Sequence, residues 1–307
     1  MKYIKIDYWK INNTMSCILD NVLNETNQVI FIDGSYFNFH RYFSLMRWWK
    51  TAHPDETIDS PIDNQLFVEK YKKTHYEHVQ QIPKKLGIWK KGQLSLPPIL
   101  VGKDCKREDI WRNAYIDNYK GTRKNGPEHG FNGGPIFKMV HQDNMFQTAG
   151  VKHVLKHPHL EGDDCIAISV KYLKKYHPEV DVYIITSDKD YLQLATEKIH
   201  IFDLSYNNLA EKKSSFKDAN CDLFCKIVMG DVSDNIPSVL HKCGPKTALK
   251  CYENKEYFDQ RMQKENAYER FEMNQRIIDF NFIPNDLVYE FMQSLEAEET
   301  QELALQY

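Results

Sequence analysis

Four short runs of mostly branched aliphatic residues, Val29–Ile32, Ile99–Val101, Val182–Ile185 and Ile199–Phe202, constrain the fold most, because stretches of helical spacing follow most of them. After Glu161, for example, Ile166, Val170 and Leu173 recur at i, i+4 and i+7, one face of a helix. Runs of this length and composition read as buried strands. Strands alternating with helices predict an α/β fold, a mostly parallel central sheet with helices on both faces. In such sheets ligands bind beyond the carboxyl ends of the strands.

The acids fall at those ends. Asp33 directly follows VIFI, Asp104 comes three residues after PILV, and Asp188 and Asp190 follow YIITS. Glu161, Asp163 and Asp164 open a helix, beyond a short apolar segment (Val151 to Leu155) and a basic, His-rich link. One Asp at a strand end is ordinarily a turn former or a helix N-cap. Acids at the same end of four segments are another matter. Crowded like charges repel by several kcal/mol unless cations neutralise them, so the pattern calls for bound metal.

The chain has 307 residues, long enough for one large domain or two modest ones. Its 42% hydrophobic and 27% charged residues exclude collagen-like and low-complexity classes. No apolar run approaches the ~18 residues of a membrane helix, and the start, MKYIKIDYWKINN, lacks a signal-peptide pattern. Seven cysteines without a CxxC pair argue against a disulfide framework or structural zinc, so a soluble intracellular protein is expected. The 40 Lys+Arg against 43 Asp+Glu argue mildly against nucleic-acid binding, unless many carboxylates gather at one site.

Two segments stand apart. Within residues 111–160, five of the chain's 13 glycines lie between Gly126 and Gly150, just after Arg112, Lys120, Arg123 and Lys124. They read as a mobile basic loop or lid inserted between strands, or as a disordered surface insertion. Residues 230–252, GDVSDNIPSVLHKCGPKTALKCY, place Asp231 and Asp234 before a Cys243-Gly244-Pro245 hairpin that opens a helix. From Ile236 to Cys251 there are three lysines and no acid, which suits a helix N-terminus that cradles phosphate. A helix-turn-helix used only for packing is the alternative. KKLGIWKK (84–91) is a basic face around Trp89, solvated or in contact with a nucleic-acid backbone.

Taken in order, these motifs resemble the flap endonuclease / 5′→3′ exonuclease family, a PIN-like nuclease group that includes the nuclease domains of bacterial DNA polymerases I. Members of the T-even phage RNase H type, from phages and large DNA viruses, look nearest. DGSYFNFHR resembles the opening Asp motif with its downstream arginine, and KDCKREDIWRNAYIDNYKGTRK the second Asp motif followed by a basic helical arch. EGDD is similar to EADD, SDKDYLQL to xDKDxxQL, and GDVSDNIPSV…CGPKTA to the helix-three-turn-helix. Departures are Gly162 for the usual Ala, expected to loosen a helix start, and Lys242 for a hairpin Gly, which bears on the hairpin's backbone angles. The Gly-rich insert after Lys124 implies an open or disorder-to-order arch rather than a closed hole.

The resemblance implies a resolvase-like α/β nuclease domain over residues 1–220, its arch at about 111–160, and a helical DNA-binding domain over 221–307. It implies two Mg²⁺ ions, replaceable by Mn²⁺, and a K⁺ ion at the helix-three-turn-helix. Asp33, Asp104, Glu161, Asp163, Asp164 and Asp188 would surround the first metal, some through water, and Asp190, Asp231 and Asp234 the second. Setting these nine carboxylates aside leaves 34 acids against 40 bases, a net charge of +6 on the remaining surface. Lys120 and Arg123 would clamp the scissile phosphate, while Arg41, Arg112, Lys124, Lys242, Gly244, Lys246 and Thr247 would hold DNA. The implied activity is removal of nucleotides at 5′ ends, flaps, nicks and RNA–DNA hybrids, by a monomer, with a sliding clamp or single-strand-binding protein as partner. Competing readings are a PIN-type metal-dependent RNase or phosphatase, and a non-catalytic junction-binding protein.

Overall fold

The structure, a computed structural model, describes residues 18–23, 26–90, 92, 95–121, 123 and 131–304, with side chains as far as Glu296. Five strands form one parallel sheet: β1 (Gln28–Asp33), β2 (Ile99–Gly102), β3 (His153–Leu155), β4 (Asp181–Ile185) and β5 (Ile199–Phe202). Their spatial order is β3-β2-β1-β4-β5. The helices are α1 (Ile18–Val22), α2 (Gly34–Ala52), α3 (Gln65–Lys85), α4 (Gly134–Gln142), α5 (Met145–Thr148), α6 (Gly162–Tyr176), α7 (Ala219–Met229), α8 (Pro245–Glu253), α9 (Lys255–Glu265), α10 (Tyr268–Ile278) and α11 (Asn285–Ala304).

β1 shows why the strands read as continuous apolar runs. Val29 and Phe31 enter one core layer with Ile166, Val170 and Leu173 of α6. Ile30 and Ile32 enter the other with Phe37, Leu45 and Trp49 of α2 and Phe67 and Tyr71 of α3. Alternate residues of a strand point to opposite faces, and here helices cover both, so no polar position is tolerated between them. The chain builds β1, β2 and β3 outward in one direction and then returns to add β4 and β5 on the other side of β1. The sheet therefore has its switch point between β1 and β4, which is where such folds open a crevice.

Two expectations change. The insertion at 111–160 is not mostly loop: α4, α5 and β3 lie within it, and Ile136, Met139, Val140, Met145 and Phe146 are buried against the α2/α3 layer. Lys124 and the residues through 130 fall outside the described residues. The helical part from 221 onward also divides its packing. α7, α8, α9 and α10 pack on one another, whereas Phe280, Ile283, Phe291 and Leu295 join the sheet's core layer beside α6.

Candidate active site

At the carboxyl end of the sheet the backbone comes unusually close. A Cβ on Gly34 would lie 2.6 Å from the Gly102 carbonyl oxygen, and one on Gly102 would lie 2.5 Å from that of Gly162. Glycine is required where backbones approach this closely. The contact brings the starts of α2 and α6 against the end of β2, and with them their acids. Gly162 does not loosen α6, contrary to expectation. Its N–H donates to Asp104 Oδ1 at 2.7 Å, and the Glu161 N–H donates to Asp164 Oδ2 at 3.2 Å, so the helix start is held by carboxylates.

The acids gather in a cleft of about 530 Å³ that Asp33, Asp104, Glu161, Asp163, Asp188 and Asp231 help to line, with Lys120, Arg123 and Lys226. Glu161, Asp163 and Asp164 each offer an oxygen within 4.8 Å of the others, and Asp190, Asp231 and Asp234 form a second such group. Each acid is pinned locally. Asp33 caps α2 through the Tyr36 N–H (2.9 Å) and accepts from the Thr186 hydroxyl (3.0 Å); Thr186 in turn accepts the Asp188 N–H (3.0 Å). Asp188 takes the Asp190 N–H (2.9 Å), Asp231 the Ser233 N–H (2.7 Å), and Asp104 the Ser35 hydroxyl (2.6 Å).

Electrostatically the cleft is under-neutralised. Burial, then the neighbouring Asp104, pushes the Asp33 carboxyl up to about 6. Burial and Asp190 push Asp188 up to about 7, and burial with Asp164 and Glu161 holds Asp163 well above the usual carboxylate range. Asp190 Oδ1 is buried, and its near partner is the Lys226 ammonium, 2.7 Å away. A carboxylate oxygen in that position suits a cation without directional demands. The donor set is oxygen throughout, which fits hard divalent ions such as Mg²⁺ or Mn²⁺.

Lys120 and Arg123, expected over the scissile phosphate, lie at this cleft. The Lys120 ammonium pairs with Glu161, and the Arg123 guanidinium with Asp234. Lys120 has φ +54, the left-handed region, and its N–H donates to the Asp234 carbonyl at 3.0 Å, which ties the segment to the 231–235 loop. Tyr119 joins them, its hydroxyl 3.2 Å from Glu161 Oε2 and 3.4 Å from Asp234 Oδ2.

Three expected roles do not match the placement. Arg112 is no surface contact: it is 3% exposed, forks onto Asp164 with NH1 at 2.8 Å and NH2 at 2.7 Å, reaches Glu161 at 3.0 Å, and donates Nε to the Ile277 carbonyl of α10. Asp164 is accordingly withdrawn from the cleft, fully buried and also bound by the Trp111 indole N–H at 2.9 Å. It holds Arg112 rather than facing a metal. Arg41 is 7% exposed on the inner stripe of α2, with its Nε unpartnered.

The hairpin residues lie at the start of α8. Lys242, Gly244 and Lys246 are exposed, and Gly244 caps α8, accepting the Thr247 N–H at 2.9 Å. Lys242 adopts φ +51, so the angle that favours glycine is kept by a lysine. The expected K⁺ would share its carbonyls with protein donors. The carbonyls of Pro237, Val239, Leu240 and His241 already accept from Asn274 (2.8 Å), Arg270 (3.0 Å), Ser238 (2.8 Å) and Arg261 (2.9 Å). The sequence reading missed Lys226, Thr186 and Ser35. Lys226 had a signal in its spacing, one helical turn and a residue before Asp231.

Comparison with known proteins agrees with this architecture. Residues 28–221 match the family model described as "5'-3' exonuclease, N-terminal resolvase-like domain". A 5′–3′ exonuclease of Buchnera aphidicola subsp. Acyrthosiphon pisum is 29% identical over 73% of this chain and 70% of its own length. A DNA polymerase I of Lactococcus lactis subsp. cremoris is 26% identical over 74% of this chain but only 24% of its own. In fold, the chain resembles the T5 D15 protein crystallised with metal ions, with a TM-score of 0.58 and 18% identity over 87% of this chain and 98% of that one. The bacteriophage T5 D15 flap endonuclease in a pseudo-enzyme-product complex with DNA and metal ions has the same score and identity, over 87% and 97%. With its parallel sheet, its acids at the strand ends and a match across most of its length, the chain belongs to the 5′–3′ exonuclease family.

Proposed function

We propose that the protein is a structure-specific 5′ nuclease that hydrolyses phosphodiesters with two divalent cations, Mg²⁺ or Mn²⁺. The observation that carries this reading is the convergence of six carboxylates and four cationic side chains on one cleft at the sheet's switch point. When bound, the divalent ions supply a hydroxide near neutral pH and neutralise charge on the phosphate.

The chain's own residues do the rest. Asp33, Asp104, Glu161, Asp163 and Asp188 would hold the first ion and Asp190, Asp231 and Asp234 the second. The raised proton affinities of Asp33, Asp163 and Asp188 would be reversed once a cation neutralises them. Lys120 and Arg123 stay charged, because the acids beside them hold both above their usual values. Exchanging their carboxylate partners for a phosphate would turn them into clamps on the scissile group. Lys242 and Lys246 would grip the duplex backbone without reading sequence, so affinity should fall steeply with salt.

The test uses a 5′-flap duplex, a nicked duplex, an RNA–DNA hybrid and a single strand, labelled at either end, with Mg²⁺ or EDTA. Products at the 5′ junction that require Mg²⁺, and that Asp188→Ala abolishes without loss of binding, are expected. Cleavage confined to single-stranded RNA would favour a PIN-type RNase. Binding without any cleavage would leave a junction-binding protein.

A further inference from the structure

Lys226 has no assigned role in the readings above. It sits on the last turn of α7, half-buried, and its ammonium lies between two acids of the second group: 2.7 Å from Asp190 Oδ1 and hydrogen-bonded to Asp231. Asp190, Asp231 and Asp234 crowd their oxygens within 4.8 Å, so the ammonium offsets their mutual repulsion. Arg123 does the same for Asp234 from the opposite side. Two features set Lys226 apart from an ordinary structural ion pair. Its one ammonium bridges two carboxylates from different elements, Asp190 and Asp231, instead of pairing with one. Lys226 also lines the cleft, so its side chain has open space to move into.

We infer that Lys226 is a built-in counter-ion of the second cation position: it fills the gap between Asp190 and Asp231 in the metal-free protein and is displaced when a divalent ion binds. This rests on the two-metal reading. A +1 and a +2 charge in one gap repel even at high dielectric, so the lysine must weaken metal binding there while stabilising the empty acid cluster. Metal entry and lysine exit are then a single exchange, and the length of the lysine stem sets where the ammonium goes.

The test is Mn²⁺ binding to the metal-stripped full chain without DNA, followed by calorimetry. Lys226→Met is expected to tighten the weaker Mn²⁺ binding step about tenfold or more and to lower stability in EDTA, since charge is removed from both competitions. Lys226→Gln keeps a donor to Asp231 and carries the same expectation should Lys226→Met not fold. Lys226→Arg, which keeps the charge, should follow the wild type. Unchanged or weaker Mn²⁺ binding by folded Lys226→Met and Lys226→Gln would overturn the inference and leave the metal reading standing. If neither wild type nor variant bound Mn²⁺, both would fall.

Discussion

Asp33→Asn should stabilise the metal-free protein while disabling it, and the size of the gain follows from the site. Burial and Asp104 raise the Asp33 carboxyl from 3.8 to about 6. At about 1.4 kcal/mol per tenfold change in proton affinity, holding this carboxylate ionised at pH 8 costs the fold about 3 kcal/mol. Asparagine removes that charge and still caps α2, because its Oδ1 accepts the Tyr36 N–H as Asp33 Oδ1 does at 2.9 Å. One contact is lost. The Thr186 hydroxyl donates to Asp33 Oδ2 while accepting from the Asp188 N–H, so an amide NH₂ in that place meets a donor, at a cost of about 1 kcal/mol. The net expectation is a gain of about 2 kcal/mol.

The sign depends on pH in a defined way. With the folded pKa above the unfolded one, stability from the protonated carboxyl is complete below about 3.8 and is lost as pH rises through about 6. The advantage of Asp33→Asn is therefore full at pH 8, small at pH 5 and absent or reversed near pH 4. Urea denaturation in EDTA at these pH values measures it, with the midpoint shifted by roughly 0.5–1 M at pH 8. Saturating Mg²⁺ should invert the order, since wild type gains about 2.7 kcal/mol at a hundredfold excess over its dissociation constant. A variant less stable than wild type in EDTA at pH 8, or an advantage that ignores pH, would refute the claim that burial and Asp104 make the ionised Asp33 costly.

Two further outcomes test the reassigned cations. Arg112→Met leaves Asp164 and Glu161 buried without their partner and should cost about 3–5 kcal/mol in urea denaturation, most of it recovered by adding Asp164→Leu; a stable variant with weakened DNA binding would restore Arg112 to the interface. Duplex affinity in EDTA should be equal in K⁺ and Li⁺ at matched ionic strength, because Arg261, Arg270, Ser238 and Asn274 already occupy the hairpin carbonyls; a tenfold loss in Li⁺ would show that they leave a K⁺ site open.

The strands were legible because a parallel sheet covered on both faces admits only apolar residues, and the acids because they interrupt such runs at one end. Arg41 and Arg112 were misplaced because a guanidinium reads as surface charge unless its neighbours are counted. Arg41 falls four residues after Phe37 and four before Leu45, both buried on α2, so its helical stripe already pointed inward. Arg112 could be placed only by Asp164, which is 52 residues away in sequence. α4 and α5 were hidden by the surrounding glycines, although Ile136, Met139 and Val140 keep helical spacing. For Lys226 only the spacing to Asp231 is written in the sequence; its approach to Asp190, from another element, is not.

The bland and the functional readings of the acids turn out to be one arrangement. A carboxylate has two oxygens, and capping needs one. Asp33, Asp188 and Asp231 each spend an oxygen on the N–H groups of the turn or helix that follows, which fixes the rotamer and aims the side chain at the crevice. Asp104 does the same across the fold, through the Gly162 N–H. A lysine or histidine could not replace them, since neither a charged nor a tautomeric nitrogen offers both a cap and a second, anionic oxygen. Gathering anionic side chains in one buried cleft is the consequence of using caps as ligands. It explains why the fold supplies Lys120, Arg123 and Lys226 around the same cleft: the empty site needs internal cations to persist, and the working site needs them to yield.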